Sequence, residues 1–372
     1  MSKTFAAFAV LLGTIIGAGI LGIPYVAMKS GFLIGAAHII IIGILMAIIM
    51  LYLGEIALRT KATHQLPGYA QKYLGRAGRN WMFIAMAFGI FSAITAYLIA
   101  EGRSLSYLIF NSPIYEFQMG ILFWLALSAI TYFGINALEK GEIVGMIFVF
   151  TMIISISVYF SNKINAGNLA HIFPGQFLAP FGVVLFAFLG FAAIPEVERV
   201  LGEHKKPMKN IIISAYATAA IIYLIFTAVV IGYKGSLVPE IATIALGKPF
   251  IFLGMITMFT AYLALSTAMI SAIRFDFGKT KIKSWFYTIT IPFMAFLILS
   301  LTKQAAFAKV LGIGGVVSGG LTAVLILSMV KKAKIKGDAK PNYSVPYSRI
   351  ISWILIAIFI IGAISEIKNI IN

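Results

Sequence analysis

Residues 13–24 read GTIIGAGILGIP, and the fold turns on how this stretch is read. It lies inside an apolar run long enough to cross a bilayer. Yet it places Gly17, Gly19 and Gly22 within six residues and ends on Ile23-Pro24. Glycine in a helix interior costs about 1 kcal/mol against alanine, and proline removes a backbone donor. In hydrocarbon, freed backbone groups are tolerated only beside something polar. Residues 186–197, FAFLGFAAIPEV, repeat the arrangement: Gly19 and Ile23-Pro24 are matched by Gly190 and Ile194-Pro195 at the same spacing. Paired interrupted segments in two halves of a chain are the pattern from which membrane transporters build a midplane binding site.

Composition narrows the alternatives. The 372 residues are 61% hydrophobic and 11% charged, with mean hydropathy +1.00. About a quarter of the residues are charged in a soluble domain, so a conventional solvated surface is excluded. A β-barrel needs short alternating segments rather than long apolar runs. The net charge of +17 does not indicate nucleic acid, because the basic residues sit in short connections between apolar runs. The absence of cysteine excludes disulfide and thiolate chemistry. The first apolar segment carries only Lys3 ahead of it and no small-residue cleavage signal, so it reads as a retained span.

Eleven spans are expected, at roughly 5–28, 32–57, 80–108, 118–137, 142–161, 178–199, 210–232, 246–272, 284–301, 307–330 and 349–367, each long enough for a core of about 30 Å. An intracellular N-terminus puts 21 of the 29 basic residues, Lys140 and Arg349 among them, on the cytoplasmic side of a cell membrane. With an odd number of spans the C-terminus is then extracellular. Residues 66–79 read as a short interfacial helix left at Gly75 and Gly78. Residues 162–177 read as an external cover, 239–246 as a brief re-entrant or surface helix, and 330–346 as a solvated basic linker. If spans one to five (1–161) and six to ten (162–331) are equivalent units, their odd length inverts the second in the membrane. Pro24 and Pro195 then lie near opposite faces, as an inverted repeat requires. Residues 332–372 hold the linker and a leftover, peripheral span.

GTIIGAGILGIPYV, FAFLGFAAIPEV and the following GEHKKPMKNII resemble the amino acid/auxin permease group of the amino acid–polyamine–cation superfamily, near its tryptophan/tyrosine permease branch. The first motif is the specific one; the rest of the likeness is span count and basic loops. The resemblance implies the five-plus-five fold of leucine-type transporters, all-α, with discontinuous first and sixth helices. It also implies transport of an amino acid rather than enzymatic catalysis. It places the substrate between Ile16-Gly17-Ala18-Gly19-Ile20 and Phe188-Leu189-Gly190-Phe191, and the chemistry agrees. A helix N-terminus offers donors to a carboxylate, released carbonyls suit an ammonium or Na⁺, and glycines admit the ligand to the backbone. Close helix packing is the competing reading of Gly17 and Gly19.

Further candidates flank the breaks. Thr14 either turns its hydroxyl to substrate or ion, or bonds back to its own helix. Tyr97 is the aromatic candidate on span three, ahead of Ser92 and Thr95. Glu101, four residues on, is an intramembrane carboxylate and a gating candidate, unless it pairs with nearby Arg103. Glu196 and Glu198 close span six as acids of an inner gate. Glu55 and Arg59 form an i, i+4 pair, and His38 reads as a hydrogen-bonded core histidine. For coupling, the resemblance implies a second sodium site combining span-one carbonyls, at Ile15 and Ala18, with the hydroxyls of Ser266 and Thr267. These are oxygen ligands suited to a hard cation. Span five lacks the basic side chain that proton-coupled relatives can carry, so either Na⁺ or a proton held by a carboxylate elsewhere remains open. No other cofactor is expected.

The expected activity is cation-coupled symport of a neutral amino acid by a monomer. Phe186, Phe188 and Phe191 favour an apolar or aromatic side chain; the alternatives are small amino acids with proton coupling, and an ion channel.

Overall fold

The computed structural model describes residues 2–133 and 138–371; the side chains of 134–147, 275, 276, 349, 351 and 367–372 lie outside the described set. The expected ends of spans four and five, and the side chains of Lys140 and Arg349, fall among these. The chain is all helical in its regular elements. They are α1 (Lys3–Ile15), α2 (Ile23–Ser30), α3 (Phe32–Leu58), α4 (Leu66–Phe110), α5 (Glu116–Phe133), α6 (Leu138–Phe160), α7 (Gly167–Ala170) and α8 (Phe181–Ala187). There follow α9 (Ile194–Leu201), α10 (Met208–Lys234), α11 (Lys248–Phe277), α12 (Lys281–Leu301), α13 (Phe307–Gly314), α14 (Gly320–Lys336) and α15 (Arg349–Ile371).

Among the described residues, eight helical stretches are long and apolar enough to cross a membrane, or nine if the bent α1/α2 pair counts as one span. Two shorter apolar helices, Phe148–Lys163 and Ser352–Glu366, fall below that length. The long helices are apolar on both sides. On α3, Ile39, Ile42 and Met46 are buried while Ile40, Ile41 and Ile44 are exposed, as expected where the outer face meets lipid rather than water. This is a polytopic membrane protein.

Both prolines of the paired motifs restart helices. Pro24 and Pro195 each stand in the first turn of a new helix, α2 and α9, where their missing N–H would have had no intrahelical acceptor. Gly75 is the true exit of the interfacial segment: its φ of 78° breaks α4 into a short arm and a long span, whereas Gly78 lies inside the helix. A π turn at Gly315–Gly319 joins α13 to α14.

One end of the bundle gathers the basic connections. There Lys72 pairs with Asp338 at 2.7 Å and Lys334 with Glu55 at 2.7 Å. The 330–346 linker, largely exposed as expected, is also anchored to the bundle. Tyr343 Oη donates to Leu51 O at 2.8 Å, and the N–H groups of Asp338 and Ala339 donate to Arg59 O. Asp338, exposed, has its carboxyl held below the usual range first by the Lys72 ammonium and then by the Lys61 N–H.

At the other end, residues 162–177 strap adjacent helices. Phe173 N donates to Ser30 O at 2.8 Å and Asn165 N to Gly232 O at 2.9 Å. Gly31, at φ 92°, admits the His171 carbonyl where any Cβ would collide. His38 is a core histidine: its Nδ1 lies 3.0 Å from Ile34 O and its ring meets Phe177 edge-on. Of residues 239–246, Ala242–Leu246 form a short 3-10 turn, and Ala242, Thr243 and Leu246 in it are buried rather than on the surface. α15 is less peripheral than expected, since Gly362 receives the Phe181 ring and Glu366 packs on Gly312.

Candidate substrate site at two helix breaks

α1 ends at Ile15. Ile16 (φ −83°, ψ 73°) and Gly17 (φ −96°, ψ −160°) leave the helix, and a 3-10 turn over Ala18–Gly22 leads into α2. The two parts meet at 41°. The second break is gentler: α8 stops at Ala187, and Phe188, Leu189 and Gly190 bridge to a 3-10 turn before α9.

The two breaks lie back to back. A Cβ built on Gly19 would meet Ala187 Cα at 2.9 Å, and one on Gly190 would meet Ile15 Cγ1 at 2.9 Å. Close packing, the competing reading of the glycines, therefore accounts for Gly19. Gly17 differs: the nearest atom to its built Cβ is the Tyr97 hydroxyl, at 4.0 Å. Ile16, Ala18 and Ile20 are buried around it.

Released carbonyls need donors, and α10 supplies them. Tyr223 Oη lies 2.9 Å from Ile15 O and 2.7 Å from Ala187 O, one carbonyl from each break. Tyr216 Oη lies 3.1 Å from Phe188 O. A hydroxyl carries one proton, so Tyr223 satisfies one of its two carbonyls at a time. The sequence reading missed both tyrosines. Their signal is a seven-residue spacing, two turns on one face of an otherwise apolar helix.

The remaining candidates divide. Phe188 is buried and directs its ring to Gly43, Tyr216 and Tyr223, away from Gly17. Phe186 reaches Gly19 and Gly315, Leu189 reaches Gly319, and Phe191 is buried. Thr14 is exposed and donates to Val10 O at 2.9 Å, so it bonds to its own helix. Ser92 packs on Gly314, and Thr95 lies 2.8 Å from Phe91 O and 3.2 Å from Pro292 O. Ser266 is buried with no hydrogen-bond partner among the described residues, whereas Thr267 is exposed. Adjacent helical residues point about 100° apart, and the expected pair of hydroxyls does not share one environment.

The gating acids separate as well. Glu198 is buried and accepts from Tyr69 Oη at 2.8 Å and Lys205 Nζ at 2.5 Å. Glu196 lies outward on Arg199. At the opposite end Arg103 bonds to Glu116 at 2.8 Å and Glu240 at 3.3 Å, and Glu240 also accepts from Phe307 N at the start of α13. Arg103 is therefore not the partner of Glu101.

Paired breaks enclosed by a helical bundle, with polar clasps at both ends, define the class: a secondary transporter, not an enzyme. A family model described as the tryptophan/tyrosine permease family matches residues 1–245, and the chain belongs to that family. Glutamine transporter 2 of Aliivibrio fischeri is 22% identical over 351 residues, covering 88% of either chain. The crystal structure of MhsT in complex with L-phenylalanine has the same fold, at TM-score 0.71 and 16% identity, covering 96% of this chain and 98% of that one.

Proposed function

We propose that the protein is a cation-coupled symporter of neutral amino acids that works by alternating access about the two breaks. The observation carrying this reading is the contact of Gly19 with Ala187 and of Gly190 with Ile15. It brings the two breaks into contact, and in this reading the substrate lies between the α2-side N–H groups and the tyrosine-held carbonyls. There a carboxylate meets the N–H groups of Ala18 and Gly19, the Gly17 N–H being given to Ile15 O, and an ammonium meets the carbonyls of Ile15, Ala187 and Phe188. Tyr97 closes the site opposite Gly17. A relative named for glutamine and a fold neighbour crystallised with L-phenylalanine support a neutral zwitterion, with aromatic side chains within range near Phe186 and Phe191.

In this reading the eleven spans are α1/α2, α3, α4, α5, α6, α8/α9, α10, α11, α12, α13/α14 and α15. Residues 1–161 and 162–331 are the inverted units, and 332–372 add a strap and the last span. The N-terminus and basic end are cytoplasmic, the C-terminus is extracellular, and the monomer is the working unit. Glu198 with Tyr69 and Lys205 closes the inner side, and Arg103 with Glu116 and Glu240 the outer. Ser266 can offer its unpaired hydroxyl to a cation beside the carbonyls of Ile15 and Ala18. Thr267 departs from that set.

Proteoliposomes supplied with Na⁺ or H⁺ gradients and each of the twenty labelled amino acids test the reading. Accumulation of neutral amino acids is expected; no uptake under either gradient would refute it. Gly17→Val should abolish uptake while the protein still purifies folded, because its side chain enters the space facing Tyr97. Gly19→Val should lose the fold as well, since the Ala187 backbone blocks it.

A further inference from the structure

Glu101 lies in α4 with its side chain completely buried, and neither carboxylate oxygen has a hydrogen-bond partner among the described residues. An ionised carboxylate left unpaired in a low-dielectric interior is far costlier than the neutral acid. The closed arrangement therefore accommodates Glu101 carrying its proton. Its position is also specific. Tyr97, Glu101 and Ser104 follow one another at i, i+4 and i+7 on one stripe of α4, and all three are buried. Tyr97 faces Gly17 at the first break, and Ser104 likewise has an unpartnered hydroxyl. Glu101 thus stands about one helical turn, roughly 5.4 Å along the axis, from the tyrosine that faces the broken span.

The titratable groups on the elements packed against α4 do not neutralise it. On α4 itself Arg103 is taken by Glu116 of α5 and by Glu240. Tyr115, in the turn before α5, packs at a tilt against Phe110, and Tyr132 of α5 meets Trp285. Tyr262 of α11 packs edge-on against Phe123; Lys248 and Arg274 lie at the two ends of that helix. Lys281, Lys283 and Tyr287 of α12, and Lys331 to Lys336 of α14, belong to the basic end. Lys309 of α13 has another partner, and the π turn at Gly315–Gly319 carries no titratable group.

Resting on the transporter reading above, we propose that Glu101 is a proton-binding site that couples proton movement to rearrangement of the first break. In the closed form the proton stays on the carboxyl. When span one moves and water reaches the α4 stripe, the Glu101 O–H bond breaks and the proton passes to water on that side. Reprotonation from the other compartment resets the carboxyl. This differs from a gate, in which the acid would have to grip a basic partner, and Glu101 has none within hydrogen-bonding distance among the described residues.

The test uses the full chain in proteoliposomes with an entrapped pH dye and labelled L-phenylalanine and L-glutamine as probes. For wild type, adding the amino acid should acidify the lumen, and an inward proton gradient should raise accumulation at least about tenfold. Glu101→Gln should abolish the dye signal and flatten the pH profile of uptake while amino acid exchange stays measurable; Glu101→Asp should restore the signal with a displaced profile. A Glu101→Gln protein that still acidifies the lumen, or a wild type driven by Na⁺ alone with no dye signal, overturns the proposal. Infrared difference spectra of the detergent-solubilised protein separate its failure from that of the transporter reading. A protonated-carboxyl band that disappears in Glu101→Gln is expected even if no amino acid is transported, and its absence from wild type also overturns the proposal.

Discussion

Glu55 and Glu101 are both completely buried glutamates on long helices, yet their surroundings are opposite. Glu55 accepts from Arg59 Nε at 2.8 Å, Lys334 Nζ at 2.7 Å, Ser344 Oγ at 2.9 Å and Val345 N at 2.8 Å. Glu101 accepts from no group among the described residues. A buried charge surrounded by donors belongs to the architecture, and removing one side strands the other. A buried acid with no donors contributes nothing to the architecture as a charge, so its retention has to be explained by what the protein does. Glu198, buried and held by Tyr69 and Lys205, falls with Glu55, whereas Glu196 lies outward in a partly exposed pair with Arg199.

The contrast can be broken experimentally. Glu55→Ala should show the largest effect, destabilising the detergent-solubilised protein by about 3–5 kcal/mol because two cations and a backbone N–H lose their acceptor. A chemical-denaturation midpoint close to wild type would remove the architectural role. Lys334→Met should cost less, about 1–3 kcal/mol, since three donors to Glu55 remain. Tyr223→Phe should destabilise by about 1–2 kcal/mol, the cost of leaving break carbonyls without their hydroxyl, and should depress uptake more than stability. Glu101→Gln should change stability by less than about 1 kcal/mol, since an amide replaces an unpartnered acid of the same shape; a large loss would reveal a hidden donor. Smallest is the acid response of Asp338. Its folded-state value is depressed by Lys72 and the Lys61 N–H, so its contribution to the strap is complete above the ordinary aspartate range and disappears as pH falls through the lowered value. Asp338→Asn should remove that acid-limb dependence from the thermal unfolding profile.

Much of the bundle was legible because the membrane leaves few choices: long apolar runs must be helices, and a glycine-proline interruption must meet something polar. The breaks at Gly17 and Gly190 follow from that rule. What sequence spacing hid was direction. Arg103 is only two residues from Glu101, but i and i+2 side chains do not face each other on a helix, and Arg103 turns to Glu116 instead. Thr267 and Ser266 are separated by the same geometry. The 330–346 segment looked solvated because its lysines dominate its composition. Its anchoring depends on Asp338, Tyr343 and the backbone of Val345, whose partners lie 266 to 292 residues away in sequence.

That distance has a consequence for biogenesis. Glu55 and Lys334 are separated by 279 residues, so when α3 leaves the ribosome three of the four donors to Glu55, Lys334, Ser344 and Val345, have not yet been synthesised. Only Arg59, one turn away, is at hand. During insertion the end of α3 must wait at the interface, hydrated, or enter the bilayer protonated, until the emergence of α14 and the strap completes the cage. Truncations before Lys334 should therefore leave a chain whose second span is incompletely seated, which glycosylation or cysteine accessibility of residues 55–65 during translation can record.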